Sequence, residues 1–116
     1  MIDTVPRFLH GAYGFVGDGY DSPKLLDPTL VYTVPSDKRA QLIYLRAGNS
    51  SAEMVFIALM QNGRTMRIFP VGAKAATHVP LAVVEDLEPD TRIEVFAGAP
   101  GGITGTLVVD IGLIEI

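Results

Sequence analysis

The chain has no cysteine and no tryptophan among its 116 residues. Without cysteine there can be no disulfide, thiolate metal site, cysteine nucleophile or iron–sulfur cluster. A type I copper centre, which needs a thiolate, is excluded with them. Charge is scarce as well, at 19% of residues. The basic side chains (Arg46, Arg64, Arg67, Lys74 and Arg92 among them) never gather into the dense run that tracks phosphates. With a net charge of −4 the overall field repels nucleic acid and anionic lipid, and neither is an expected partner. No stretch reaches the ~18–20 uninterrupted apolar residues of a membrane helix. The first residues, Met1 to Arg7, lack the basic and apolar regions of a secretory signal, so cytoplasmic synthesis is expected.

Catalytic patterns are equally sparse. The two histidines, His10 and His78, stand at no metal-ligand spacing, and each reads as a packed or interfacial ring. The segment Asp18–Ser22 has the look of a calcium loop without its alternating oxygen ligands or its closing glutamate, and reads as a turn. Glu85, Asp86, Glu88 and Asp90 cluster around Pro89 as a solvated acidic turn. The serines sit in turns with no adjacent histidine, and Gly98–Gly102 is a loop with no lysine after it. No catalytic residue, cofactor or metal is expected, and the chain reads as a non-enzyme.

What is present is apolar. Hydrophobic residues make up 48% of the chain, enough for one domain with a real core. The mean hydropathy is positive, and apolar surface in excess of a core is usually covered at a subunit interface. From residue 28 short runs rich in β-branched and aromatic residues alternate with turn chemistry, the pattern of an all-β fold. Strands are predicted over 29–34, 40–47, 53–61, 64–69, 77–84, 91–97 and 104–116. Over 40–47, Gln41, Ile43, Leu45 and Ala47 fall on one face against Leu42, Tyr44 and Arg46 on the other. Asn62-Gly63 predicts a tight hairpin, because both central residues of a type I′ turn need positive φ. Pro80 places its run at a sheet edge, and Gly112 bends or bulges the last one. One helical turn has room around Val83–Leu87. Seven or eight strands in sequence imply an antiparallel β-sandwich of jelly-roll or Greek-key type.

Residues 1–27 differ from the sandwich of 28–116. Glycine and proline punctuate them, so no strand should run far, yet Phe8, Tyr13, Phe15 and Tyr20 are too aromatic to float. They read as an extended N-terminal arm lying on a sheet, its own or a neighbour's. The run Met54–Met60 is apolar on both faces and should be covered twice, by a second sheet and by the arm or another subunit. The expected interface therefore comprises Phe8, Tyr13, Phe15 and Tyr20, then Met54, Phe56 and Met60, then Ile114 and Ile116 on an Ile103–Ile116 edge. The expected partner is the chain itself, as a trimer or ring, and deleting residues 1–22 should weaken assembly more than folding.

The order Leu30-Val31-Tyr32-Thr33-Val34-Pro35, a polar turn with Lys38 and Arg39, a strand, then Asn49-Ser50 resembles small virion proteins of tailed bacteriophages and prophages. Leu87–Val95 is similar to the segment before their penultimate strand, while Asp37 stands where glycine is usual. The resemblance implies a decoration, neck or tail-type subunit, non-enzymatic and virion-associated, with the arm over a neighbour. The alternative is a carbohydrate-binding sandwich with Tyr13, Tyr20, Tyr32 and Tyr44 as its platform, or a non-catalytic small subunit of a larger complex.

Overall fold

The computed structural model describes residues 4–81 and 84–116. Ten strands follow in order: β1 (Val5–Val16), β2 (Lys24–Leu25), β3 (Val31–Thr33), β4 (Ala40–Asn49), β5 (Val55–Gln61), β6 (Arg64–Val71), β7 (Ala76–Pro80), β8 (Asp86–Leu87), β9 (Arg92–Gly98) and β10 (Thr104–Glu115). They form two antiparallel sheets. The front sheet runs β1-β10-β4-β7, with β8 also on β4; the back sheet runs β2-β9-β5-β6, with β3 also on β9. This is the all-β antiparallel sandwich that the turn spacing predicts. The helical turn expected near Val83–Leu87 is replaced by strand β8 at Asp86–Leu87, and Val83 lies outside the described residues.

Strand periodicity of two assigns every side chain to the core or to an outward face. In β10, Leu107, Val109, Ile111 and Leu113 point inward. They meet Val55, Ile57 and Leu59 of β5 and Ile93 and Val95 of β9 in one cluster between the sheets. Burying each of these side chains stabilises the fold by about 1.5–3 kcal/mol. Strand β4 departs from the simple alternation expected of it. Its register with β10 shifts between Gly112 and Leu113, where Tyr44 and Leu42 are the successive partners. Ile43 is the extra residue, and this bulge lets both Leu42 and Leu45 face the core. The irregularity thus falls where Gly112 predicts it, with the added residue on the opposite strand.

The hairpin forms as predicted. Asn62 and Gly63 have φ of 51° and 82°. Arg92 N–H donates to Asn62 Oδ1 at 2.8 Å and Asn62 N–H to Arg92 O at 2.9 Å, so the turn is also clipped to β9. Pro80 ends β7 on the edge of the front sheet.

Three expectations change. First, glycine and proline do not interrupt the N-terminal segment: β1 runs for twelve residues and pairs with β10 from Val5↔Glu115 to Val16↔Thr104. The segment lies on its own sheet and sends Leu9, Tyr13 and Phe15 against the core. Losing residues 1–22 would therefore strip a core-forming strand, so the truncation is a folding lesion before it is an assembly lesion. Second, the run 103–116 is no edge, because β10 is flanked by β1 and β4. Third, the N-terminal segment covers the outer side of Met54–Met60 only at one corner, where Tyr20 stacks on Phe56 with ring centroids 6.3 Å apart.

At one end of the sandwich the sheets are tied by a buried carboxylate. Glu115 is 1% exposed. Its Oε2 accepts from Tyr32 Oη at 2.6 Å and pairs with Arg7 Nε at 3.2 Å, while Oε1 has no hydrogen-bond partner among the described residues. The Tyr32 bond, against the opposing cost of burial and with help from Arg7, holds the Glu115 carboxyl below its ordinary range. Burial first, then the bond to Glu115, raises the Tyr32 hydroxyl far above its own.

Candidate functional site

The outward face of the front sheet gathers what chemistry the chain has. Strand registers align four ionisable side chains in one row across the sheet: His10↔Asp110, Asp110↔Arg46, Arg46↔His78, from β1, β10, β4 and β7. On one side of it runs an apolar row, Phe8–Gly112–Tyr44–Pro80, and on the other a row of small residues around one valine, Ala12–Val108–Gly48–Ala76. Two depressions straddle Val108 and Asp110. One, of about 680 Å³, is lined by Arg46, Gly48, Ala76 and His78; the other, of about 590 Å³, by Phe8, His10, Ala12 and Tyr44.

Asp110 is the hub. Its Oδ1 accepts from Tyr44 Oη at 3.0 Å, and its Oδ2 takes both Nε (3.1 Å) and a terminal nitrogen of Arg46. Burial would push the Asp110 carboxyl up, but the bonds from Arg46 and Tyr44, with the charges of Arg46 and His10 behind them, hold it below the usual range. Partial desolvation and the bond to Asp110 raise the Tyr44 hydroxyl, and the bond to Asp110 raises the Arg46 guanidinium. The site is a fixed anion and cation side by side. The Arg46 guanidinium lies 5.5 Å from the Tyr44 ring centre, and the His78 ring meets that of Tyr44 edge-on at 6.1 Å. Gly112 makes this arrangement possible, because a Cβ there would collide with three carbons of the Tyr44 ring.

Such a surface suits a neutral, polyhydroxylated ligand. Phe8, 56% exposed, offers a face to the C–H side of a ring, while the Tyr44 ring is held between Gly112 and the Arg46 guanidinium. Asp110 keeps unused lone pairs, Arg46 keeps outward N–H groups, and the two imidazoles each donate or accept.

The nine residues expected at an interface scatter. Phe8 and Ile114 lie on the front outer face; Tyr20, Met54, Phe56 and Met60 on the back; Tyr13 and Phe15 point inward; and Ile116 stands at the chain's end. Of the four tyrosines proposed as a sugar platform only Tyr44 reaches the depressions, since Tyr32 bonds Glu115 and Tyr20 Oη donates to Met54 O at 2.7 Å. The acidic turn is occupied with structure: Asp86 accepts from Gln41, and Asp90 from Ser36, each at 2.7 Å. His10, His78, Arg46 and Asp110 are not legible as a group, because 100 residues separate the paired His10 and Asp110 and only the sheet topology aligns the four.

No protein-family model matches the chain, and no curated protein matches it by sequence. Solved structures do resemble it. The carbohydrate-binding module CBM36 in complex with calcium and xylotriose aligns with a TM-score of 0.57 at 18% identity, covering 95% of this chain and 98% of that one. The CBM36-1 domain of a multidomain xylanase from the hindgut metagenome of Trinervitermes trinervoides aligns at 0.55 and 15%, covering 90% and 95%. The insecticidal δ-endotoxin Cry8Ea1 of Bacillus thuringiensis aligns at 0.50 and 10%, covering 89% of this chain and 19% of that one. Calcium belongs to the first of these, but the residues here do not fit it. Asp18 Oδ2 already accepts from Ser22 and pairs with Lys24, both at 3.4 Å, and no three of His, Cys, Asp and Glu gather anywhere among the described residues. At these identities what the likeness shows is the fold: this chain is an antiparallel β-sandwich of the same architecture as those modules.

Proposed function

We propose that this chain is a non-catalytic carbohydrate-binding module, and that a polysaccharide lies across the four strands of the front sheet. Of the three readings drawn from the sequence, assembly subunit, sugar-binding sandwich and small subunit of a larger complex, the second has the support of the CBM36 likeness over nearly the whole of both chains. The observation that carries it is the row His10–Asp110–Arg46–His78, set between an aromatic row and a row of small residues. With strands ~4.8 Å apart, the row spans ~14 Å, room for a short run of sugar residues. A sugar ring stacks on Phe8, and its hydroxyls bridge Asp110 and Arg46, which Tyr44 holds in place and whose charges strengthen each bond.

The test is affinity electrophoresis of the full chain in gels containing xylan, β-glucan or galactan, followed by calorimetry with oligosaccharides of the retarding polymer. Retardation by at least one polymer is expected, unchanged by a metal chelator and lost in Tyr44→Ala and Asp110→Ala. Absence of retardation by every polymer, or retardation that both variants keep, overturns the proposal.

A further inference from the structure

The outward face of the back sheet has the opposite chemistry. Its central row, Leu25–Phe96–Ala58–Ile68, crosses β2, β9, β5 and β6 and is wholly apolar. Ile68 is 54% exposed, and Tyr20 and Met54 extend the apolar surface at one corner. The charges on the face, Arg92 and Glu94, neutralise each other at 3.6 Å. Ala58, in the middle of the row, is 1% exposed and covered by its neighbours.

We infer that this face seats a second copy of the chain, packed sheet on sheet about a two-fold axis that runs along the strands between β9 and β5. Such an axis reverses the order of the row in the facing copy. Phe96 then faces the second copy's Ala58, the exposed Ile68 meets its exposed Leu25, and each contact occurs twice, as an isologous interface requires. Charge favours the same occupant. Each copy carries −4 overall, yet the two meet here without opposing like charges, and a strongly charged partner finds no counterpart on this face. Four strands ~4.8 Å apart and seven residues of ~3.3 Å rise give a face of about 450 Å² in plan. Two copies with the Tyr20–Met54 corner bury on the order of 1,000 Å², the lower end of specific interfaces, so the dimer should be reversible on dilution.

The experiment is light scattering of the purified full chain across a hundredfold dilution. Twice the 12.4 kDa chain mass is expected at the high end, falling toward one mass on dilution. Ile68→Lys and, separately, Leu25→Lys should be monomeric throughout with melting curves like the parent, since both side chains are exposed. Val16→Lys, on the front sheet and 66% exposed, should dimerise as before. A monomer at every concentration, a larger assembly, or a dimer that survives both back-face lysines overturns the inference.

Discussion

The two outward faces of this sandwich are built by the same device and put to different chemical use. On each, an aromatic ring lies over a glycine of the neighbouring strand, Tyr44 over Gly112 in front and Phe56 over Gly98 behind. In front the ring ends in a hydroxyl tied to Asp110 and a guanidinium, and the strands supply four ionisable groups in one row. Behind, the ring carries no polar atom and its neighbours are apolar. Since the inward residues of both sheets share one largely hydrophobic core, the contrast comes from the alternate positions. Alternation thus lets one chain hold a single core and two unlike surfaces.

Substitutions can separate the faces from each other and from the core they share. The largest effect is expected at the tie beneath both. Tyr32→Phe removes the closest donor to the buried Glu115 carboxylate and should cost about 2–3 kcal/mol in urea unfolding, leaving sugar affinity of the folded protein unchanged. The same carboxylate sets an acid limit. Its folded value lies below the unfolded one, so its stabilisation is complete above the unfolded value and is lost as pH falls toward the folded one. Glu115→Gln should be less stable than the parent at neutral pH and lose less on acidification, as followed by melting temperature against pH.

Next in size, Asp110→Ala leaves Arg46 and Tyr44 without their acceptor. It should weaken sugar binding by about 2 kcal/mol in calorimetry while the light-scattering mass stays that of the parent. Gly112→Ala should displace the Tyr44 ring and weaken the same binding by about 1 kcal/mol, again with no change in mass. The smallest effect belongs to the back sheet. Asn62→Ala puts alanine at positive φ and frees the Arg92 amide, lowering stability by about 1 kcal/mol or less by urea unfolding, with front-face affinity unaltered.

What could be read from the sequence was local. Asn62-Gly63, Pro80 and the Gly112 irregularity each declare themselves within a few residues, and each stands where expected. Strand β1 was missed because its glycines disguise a regular alternation, Leu9, Gly11, Tyr13 and Phe15 inward against Phe8, His10, Ala12 and Val16 outward. The β4 bulge was missed because Leu42 and Leu45 break parity only once β10 is beside them. The front-face row could not be read at all, since residues 10, 46, 78 and 110 become neighbours through non-local pairing. The segments around Val34 and Thr91 are clipped together, Val34 N–H to Thr91 O and Asp90 N–H to Val34 O, both at 2.9 Å.

The placement of the two faces on opposite sides of one thin sandwich has a further consequence. Copies joined back to back would turn their sugar-facing sheets outward in opposite directions, so one dimer could bridge two polymer chains or hold one that loops around it. Binding to an insoluble or crowded polysaccharide would then gain from avidity, and would fall off more steeply with protein dilution than binding to a short oligosaccharide.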